Sequence, residues 1–170
     1  MRVVAGTARG RKLQAPPGRD VRPTGDRVRE AAFNALGSLG VIQGARFLDL
    51  FAGTGALGIE AWSRGAAAAT FVEQDRTAAA TVRANLAALG FDAEVVQADA
   101  LRWLATGTAD FDVALLDPPY AFDGWDDLLE RVPARLVVLE TDRSIALGEG
   151  WVVLREKRYG DTVVTIARRR

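Results

Sequence analysis

The sequence predicts an α/β fold on a mostly parallel, seven-stranded sheet, closed by a C-terminal antiparallel hairpin and preceded by a small basic N-terminal β-hairpin. Three observations predict it. From residue 45 to residue 140 short apolar runs alternate with helix-period segments, the pattern of strands joined by crossover helices. Two later runs, 151–157 and 162–168, are separated only by Arg158-Tyr159-Gly160-Asp161, a turn too short for a parallel crossover. Finally, Asp49, Glu73, Asp99 and Asp117 stand at or just past the ends of four successive runs, at intervals of 24, 26 and 18 residues, so that one rim of the sheet collects them.

Residues 2–6 and 11–15 are strand-like and are joined by Thr7-Ala8-Arg9-Gly10, which predicts the basic hairpin; Pro16-Pro17-Gly18 ends it. Val28, Ala32, Ala35, Leu36 and Leu39 recur at helical spacing, with Thr24 or Asp26 as N-cap and Gly37 or Gly40 as the stop. Strands then fall at 45–50, 68–73, 93–97, 111–116 and 135–140, with helices at 56–64, 76–88, 100–105 and 125–131. In an open parallel sheet, ligands bind beyond the carboxyl ends of the strands near the point where strand order reverses, so the acidic rim is the expected site.

At 170 residues and 49% hydrophobic, the chain can bury one sizeable core. One domain is expected over 1–170, with 1–22 a hairpin extension and 23–170 the catalytic core. Cysteine and histidine are both absent, which excludes Cys/His zinc sites, thiol nucleophiles, histidine-dependent triads and base methylation through a cysteine adduct. No apolar stretch of about 18 residues exists and the first residues lack a signal-peptide core. These features predict a cytoplasmic protein, a monomer with no metal and no membrane partner. The net charge is zero but segregated: residues 1–30 carry 8 basic and 3 acidic side chains, 31–150 carry 8 and 17, and 151–170 carry 6 and 2. Basic ends can present positive surface to a polyanion. Arg2, Arg9, Arg11, Lys12, Arg19 and Arg22 are the candidate phosphate contacts.

Gly53-Thr54-Gly55-Ala56-Leu57-Gly58 has the form G-x-G-x-x-G, and Glu73 lies 20 residues beyond its first glycine, as in a dinucleotide site. Asp49, followed by Phe51 and Ala52, changes that reading. A carboxylate there disfavours a pyrophosphate but can pair, directly or through water, with the ammonium of S-adenosylmethionine, which carries no phosphate. Gly53 and Gly55 let the backbone approach the methionyl part, Glu73 can accept from both ribose hydroxyls, and Asp99 can accept from the adenine amine between Gln74 and Ala100. Asp99 also suits an N-cap for the next helix, a role that needs no ligand.

Asp117-Pro118-Pro119-Tyr120 ends the fourth run, 68 residues after Asp49. An exocyclic base amine is a poor nucleophile because its lone pair is delocalised into the ring. A strand-tip carboxylate can accept its N–H, two prolines stiffen the turn and leave carbonyls without local N–H partners, and an aromatic ring can stack on the base. Asp117, Pro118, Pro119 and Tyr120 are therefore the candidate catalytic residues. Of the four tryptophans, Trp125 is the one close enough to Tyr120 to line the same rim.

Over its whole length the chain resembles the RsmD-type rRNA methyltransferases. The resemblance rests on Val21-Arg22-Pro23-Thr24-Gly25-Asp26-Arg27-Val28-Arg29-Glu30-Ala31-Ala32-Phe33-Asn34, on Asp49 to Gly58, on Asp117 to Tyr120, and on Arg158-Tyr159-Gly160-Asp161-Thr162. It implies a Rossmann-like class I methyltransferase fold, S-adenosylmethionine as donor, transfer to guanine N2 in small-subunit (16S) rRNA within a protein-containing particle, and an N-terminal hairpin that helps hold RNA. It also implies that Thr24 lies near the cofactor. The stretch between Trp125 and Arg135 is shorter than the family's helix and turn. Two rival readings are an adenine-N6 methyltransferase on DNA or RNA, which shares the Asp-Pro-Pro-Tyr motif, and a non-catalytic RNA-binding or ribosome-assembly factor. A dehydrogenase would need a second domain to hold its substrate.

Overall fold

A computed structural model of the protein describes residues 1–18, 24–107 and 109–170. Its elements are α1 (Thr24–Ser38), β1 (Arg46–Leu50), α2 (Ala56–Ser63), β2 (Ala68–Glu73), α3 (Arg76–Leu89), β3 (Glu94–Gln97), α4 (Ala100–Ala105), β4 (Phe111–Leu116), α5 (Trp125–Arg131), β5 (Ala134–Thr141), β6 (Trp151–Tyr159) and β7 (Thr162–Arg169). The strands form one sheet in the order β3-β2-β1-β4-β5-β7-β6. Strands β1 to β5 pair in parallel, whereas β7 is antiparallel to both β5 and β6. This is the seven-stranded, mostly parallel sheet with a closing antiparallel hairpin expected from the sequence. The chain runs outward from β1 to β3 and then returns to place β4 on the other side of β1. A crevice must open at that reversal, because successive crossovers leave in opposite directions.

Strand periodicity sorts the core into two layers. Phe47 of β1 packs with Phe71, Val113 and Leu115 against Phe33 and Leu36 of α1, Ile59 of α2 and Val82 and Leu86 of α3. On the opposite face Leu48, Leu50, Ala114, Leu116 and Val137 meet Leu104 of α4 and Leu128 and Leu129 of α5. The helix ends follow from local chemistry. Asp75 caps α3 by accepting from the Ala78 N–H at 2.7 Å, and Gly90 closes that helix at φ 68°.

The N-terminal hairpin differs in form from the two strands expected. Its paired backbone reduces to a single bridge, Arg2 with Lys12, beside hydrogen bonds from Val3 N to Arg11 O at 3.0 Å and from Leu13 N to Met1 O at 3.0 Å. The cause lies in α2 and α3, which take the backbone groups a longer ladder would need. Glu60 accepts from Val4 N and Ala5 N at 2.9 and 3.0 Å, Ser63 accepts from Ala8 N at 2.9 Å, and Asn85 exchanges two hydrogen bonds with the backbone of Gln14. Val3, Ala8 and Leu13 are buried in the first core layer. Glu60 is itself fully buried and is neutralised by Arg29 at 3.3 Å and Arg64 at 2.9 Å. A buried carboxylate is tolerated only when paired and hydrogen-bonded in this way.

Around the short 125–135 stretch, α5 has only seven residues and β5 begins at Ala134. Trp125 does not join the rim. It is 8% exposed and packs edge-on against Phe122, with ring centroids 5.3 Å apart, which fixes the loop after β4 from below.

Candidate active site

A cavity of about 550 Å³ opens at the carboxyl ends of β1, β2, β4 and β5, within the range of small-molecule sites. Of the residues predicted from the sequence, Phe51, Ala52, Gly53, Glu73, Gln74, Ala100, Asp117, Pro118, Pro119 and Tyr120 line it. Asp49, Gly55 and Asp99 do not. Thr24 opens α1, but its side chain falls outside the described residues, as do Arg19 and Arg22 altogether.

The floor is the β1–α2 loop. Gly53 and Gly55 adopt φ 58° and 80°, and Gly55 sits at the N-cap of α2. Phe51 also has a positive φ, 63°, a conformation that costs a non-glycine residue about 1–3 kcal/mol and must be held by its surroundings. Its ring is pinned edge-on against Phe122 at 5.3 Å. Gly58, in the first turn of α2, is required for a different reason: a Cβ there would stand 2.4 Å from the Phe71 ring and 3.1 Å from Oδ2 of Asp49. Gly58→Ala is expected to destabilise the protein by about 1–3 kcal/mol, read as a drop in urea midpoint at unchanged slope.

Asp49 lies beneath this loop. It is 1% exposed, Oδ2 accepts from the Gly58 N–H at 2.9 Å, and Oδ1 has no hydrogen-bond partner among the described residues. Burial pushes its pKa up to about 8; the Gly58 N–H opposes the rise and the neighbouring Glu73 charge adds to it. A cation brought to the loop is the group that would favour the ionised form.

Glu73 ties the tip of β2 to the loop. One oxygen accepts from Gly53 N at 2.8 Å and the other from Asp75 N at 2.9 Å. Each carboxylate oxygen has a second lone pair, so the pair expected to receive ribose hydroxyls keeps acceptor capacity. Asp99 accepts from Arg102 N at 3.0 Å as the N-cap of α4. It is exposed, and its neighbours Ala98 and Ala100 form the wall instead.

At the tip of the adjoining strand β4, Asp117 is exposed, Pro118 is buried, and Pro119 O accepts from Phe122 N at 2.8 Å, which closes a tight turn carrying Tyr120 outward at 40% exposure. Several wall residues were missed from the sequence. Asp75 follows Gln74, Glu140 is the penultimate residue of β5, Thr162 opens β7, and Gly25, Val28 and Arg29 of α1 line the cavity together with Met1. Glu140 obeys the strand-tip rule that picked out Asp117 and was legible on that ground. Met1 and Arg29 carried no such signal, because they arrive through packing of the N-terminal segment. The cavity thus carries four carboxyl groups, Glu73, Asp75, Asp117 and Glu140, against Arg29, whose guanidinium already bonds Glu60 and Asp26.

Among the basic candidates, Arg2, Arg9, Arg11 and Lys12 are all exposed. Arg2 donates to Gly10 O at 2.7 Å, and Arg11 donates to Ala88 O at 2.7 Å in the last turn of α3, where a cation complements the helix dipole. No helix among the described residues is long and apolar enough to cross a membrane, and no His/Cys/Asp/Glu group among them could hold a metal.

A family model described as "Conserved hypothetical protein 95" matches residues 1–168. Ribosomal RNA small subunit methyltransferase D of Haemophilus influenzae is 38% identical over 174 residues, 94% of this chain and 89% of that protein. The solved structure of yhhF from Escherichia coli superposes with TM-score 0.87 at 36% identity, covering 99% of this chain and 97% of that one. The structure of SMU.776 in complex with SAH shares the fold at 17% identity and TM-score 0.69, over 87% of this chain and 50% of that one.

Proposed function

This chain belongs to the family that includes ribosomal RNA small subunit methyltransferase D, and on that premise we propose that it transfers a methyl group from S-adenosylmethionine to the exocyclic N2 amine of a guanine in small-subunit rRNA. The observation that carries the reading is the sign of the cavity. Four carboxyl groups on its wall, with a buried Asp49 behind the glycine loop, suit a sulfonium and ammonium ligand and repel a dinucleotide pyrophosphate. A cofactor-shaped loop with acids on every adjoining strand tip is otherwise hard to reconcile with G-x-G-x-x-G.

S-adenosylmethionine supplies a methyl carbon made electrophilic by the attached sulfonium. In the proposal Asp49 provides the counter-charge for the ammonium, across the loop or through a water, and Glu73 receives the ribose hydroxyls. Ala98 and Ala100 leave room for the adenine, and Thr24 is assigned a place near the cofactor, as the family resemblance implies. The guanine leaves its stack and rests on Tyr120, an interaction worth about 1–3 kcal/mol. Asp117 and the Pro118 carbonyl accept the two N2 protons, which turns the amine lone pair out of conjugation and toward the methyl. As the N–C bond forms, the C–S electron pair returns to sulfur and one N2 proton departs through Asp117. Catalysis on this account is positioning with electrostatic assistance rather than strong-base chemistry.

The test is labelled-methyl transfer, in parallel, to undermodified small subunits, naked rRNA and duplex DNA, with the product identified by nucleoside mass spectrometry. N2-methylguanine is the expected product. N6-methyladenine would replace this reading with the rival base, and tight donor binding without transfer to any substrate would favour the assembly-factor reading.

The N-terminal cations are proposed to hold RNA phosphates, with Arg9 and Lys12 the pair to test because Arg11 also serves α3. Replacing both by alanine is expected to lower the slope of log K against log salt by about 0.7 for each phosphate no longer neutralised, with donor affinity unchanged in titration calorimetry. A loss of donor affinity would instead make the segment a purely structural support for the loop.

A further inference from the structure

The basic C-terminal pole has no part in the chemistry above, and some of it is structural. Arg169 donates to Ala134 O, Leu129 O and Val132 O and stacks over Trp151 at 4.3 Å, so it holds the end of α5. Two other arginines converge on the rim instead. Arg143, in the loop after β5, donates to the Tyr120 carbonyl at 3.4 Å and pairs with Asp142 at 2.8 Å; their side chains are 52% and 40% exposed. Arg158, near the end of β6, donates to the Asp142 carbonyl at 3.5 Å and pairs in register with Val163, next to the cavity-lining Thr162. Tyr120, Arg143, Asp142 and Arg158 therefore form a chain of contacts that starts at the cavity-lining Tyr120.

The geometry points to Arg143 and Arg158 as the clamp for a phosphodiester of the substrate strand beside the extruded nucleotide, an inference that rests on the proposed RNA methyltransferase activity. A base lying on Tyr120 brings its own backbone over this lip. Two guanidinium groups there stand beside the Asp142 carboxylate, and the nearby Glu156 is already engaged by Ser144 at 2.6 Å and Thr165 at 3.0 Å. Arg143 and Arg158 each make one long hydrogen bond to a carbonyl oxygen, at 3.4 and 3.5 Å, and Arg143 also pairs with the exposed Asp142 carboxylate at 2.8 Å; the long bonds can yield to a charged acceptor, and each planar guanidinium offers further donors to phosphate oxygens. The acidic interior beside this lip would exclude phosphate from the donor's place.

The test compares wild type, Arg143→Ala, Arg158→Ala, the double variant and the two lysine replacements, using small subunits as substrate and calorimetry with S-adenosylmethionine as a separate readout. Each alanine variant is expected to raise KM for the subunit about 10-fold, to lower the salt slope by about 0.7 and to leave donor affinity and kcat near wild type. Lysine should restore most of KM, because a phosphate accepts a point charge. A fall in kcat at unchanged KM would overturn the assignment and make Arg143 a positioning residue for the Tyr120 turn. Unchanged KM and salt slope, with wild type active, would overturn it while leaving the methyltransferase reading intact. If wild type itself transfers no methyl to any RNA, the activity fails first and the clamp falls with it.

Discussion

Asp117→Ala is expected to lower methyl transfer to small subunits by about 10³-fold, the magnitude found when one well-placed polar partner of a reacting group is removed. Donor affinity should fall far less than turnover, since the ammonium and ribose roles are assigned to Asp49 and Glu73, which bond the glycine loop and helix α2 directly. The reason is electronic as well as geometric. Without an acceptor for its N–H, the amine lone pair stays delocalised into the purine and is not aimed at the methyl carbon. Asp117→Asn should recover little, because an amide can accept the hydrogen bond but neither stabilises developing positive charge nor carries off the proton. Single-turnover transfer with saturating donor separates these effects from RNA binding. Turnover near wild type in an alanine variant that still binds subunits would remove Asp117 from the mechanism.

Asp49→Asn should produce a gain and a loss together. The buried carboxyl has its pKa raised from 3.8 to about 8, chiefly by burial. Below pH 4 both folded and unfolded chains hold the proton and the group exerts no pH effect. Between about 4 and 8 the unfolded chain ionises while the folded chain keeps its proton, so the stability of the wild type falls as pH rises through that window and levels off above it. The penalty accrues at about 1.4 kcal/mol per pH unit. An asparagine at this position does not titrate, and its side-chain oxygen can still accept from Gly58 N, although its amide brings buried donors of its own. The variant is therefore expected to be the more stable protein at pH 8, by a few kcal/mol at most, and the less stable one at pH 4. Urea denaturation across that range without ligand is the check, and a variant weaker than wild type at pH 8 would contradict the buried, protonated carboxyl. Donor affinity should fall about 10- to 100-fold, the range for losing a charged hydrogen-bond partner. Wild-type affinity should climb from pH 6 to pH 8 as Asp49 becomes easier to ionise, and the climb should vanish in the variant.

How much of this was legible in advance depended on the kind of signal. Strand and helix positions were readable because burial imposes period 2 and period 3.6 on the chain itself. Phe111–Leu116 and Ala68–Glu73 coincide with the expected strands, and Ala100–Ala105 and Trp125–Arg131 with the expected helices. The cavity loops were readable for a related reason: each begins at a strand tip and carries its chemistry within a few residues. Glu60 was not readable. Its place on a buried helix face gave no sign that it would receive two backbone N–H groups from residues 4 and 5 and ion pairs from Arg29 and Arg64. Trp125 and Asp99 stood at the right places along the chain, but one turned into the core and the other capped a helix. Adjacency in sequence does not fix which way a side chain turns.

By itself the sequence determined the sheet, its crossover helices, the glycine loop and the acidic strand tips, because these depend on local periodicity and on turn chemistry within a few residues. Only the tertiary structure decided that Asp49 lies under the loop rather than on the cavity wall, that Met1 and Arg29 reach that wall, and that Arg143 and Arg158 both contact Asp142 beside Tyr120. Those relations join residues far apart along the chain. They are set by how the layers pack, and no window of the sequence contains them.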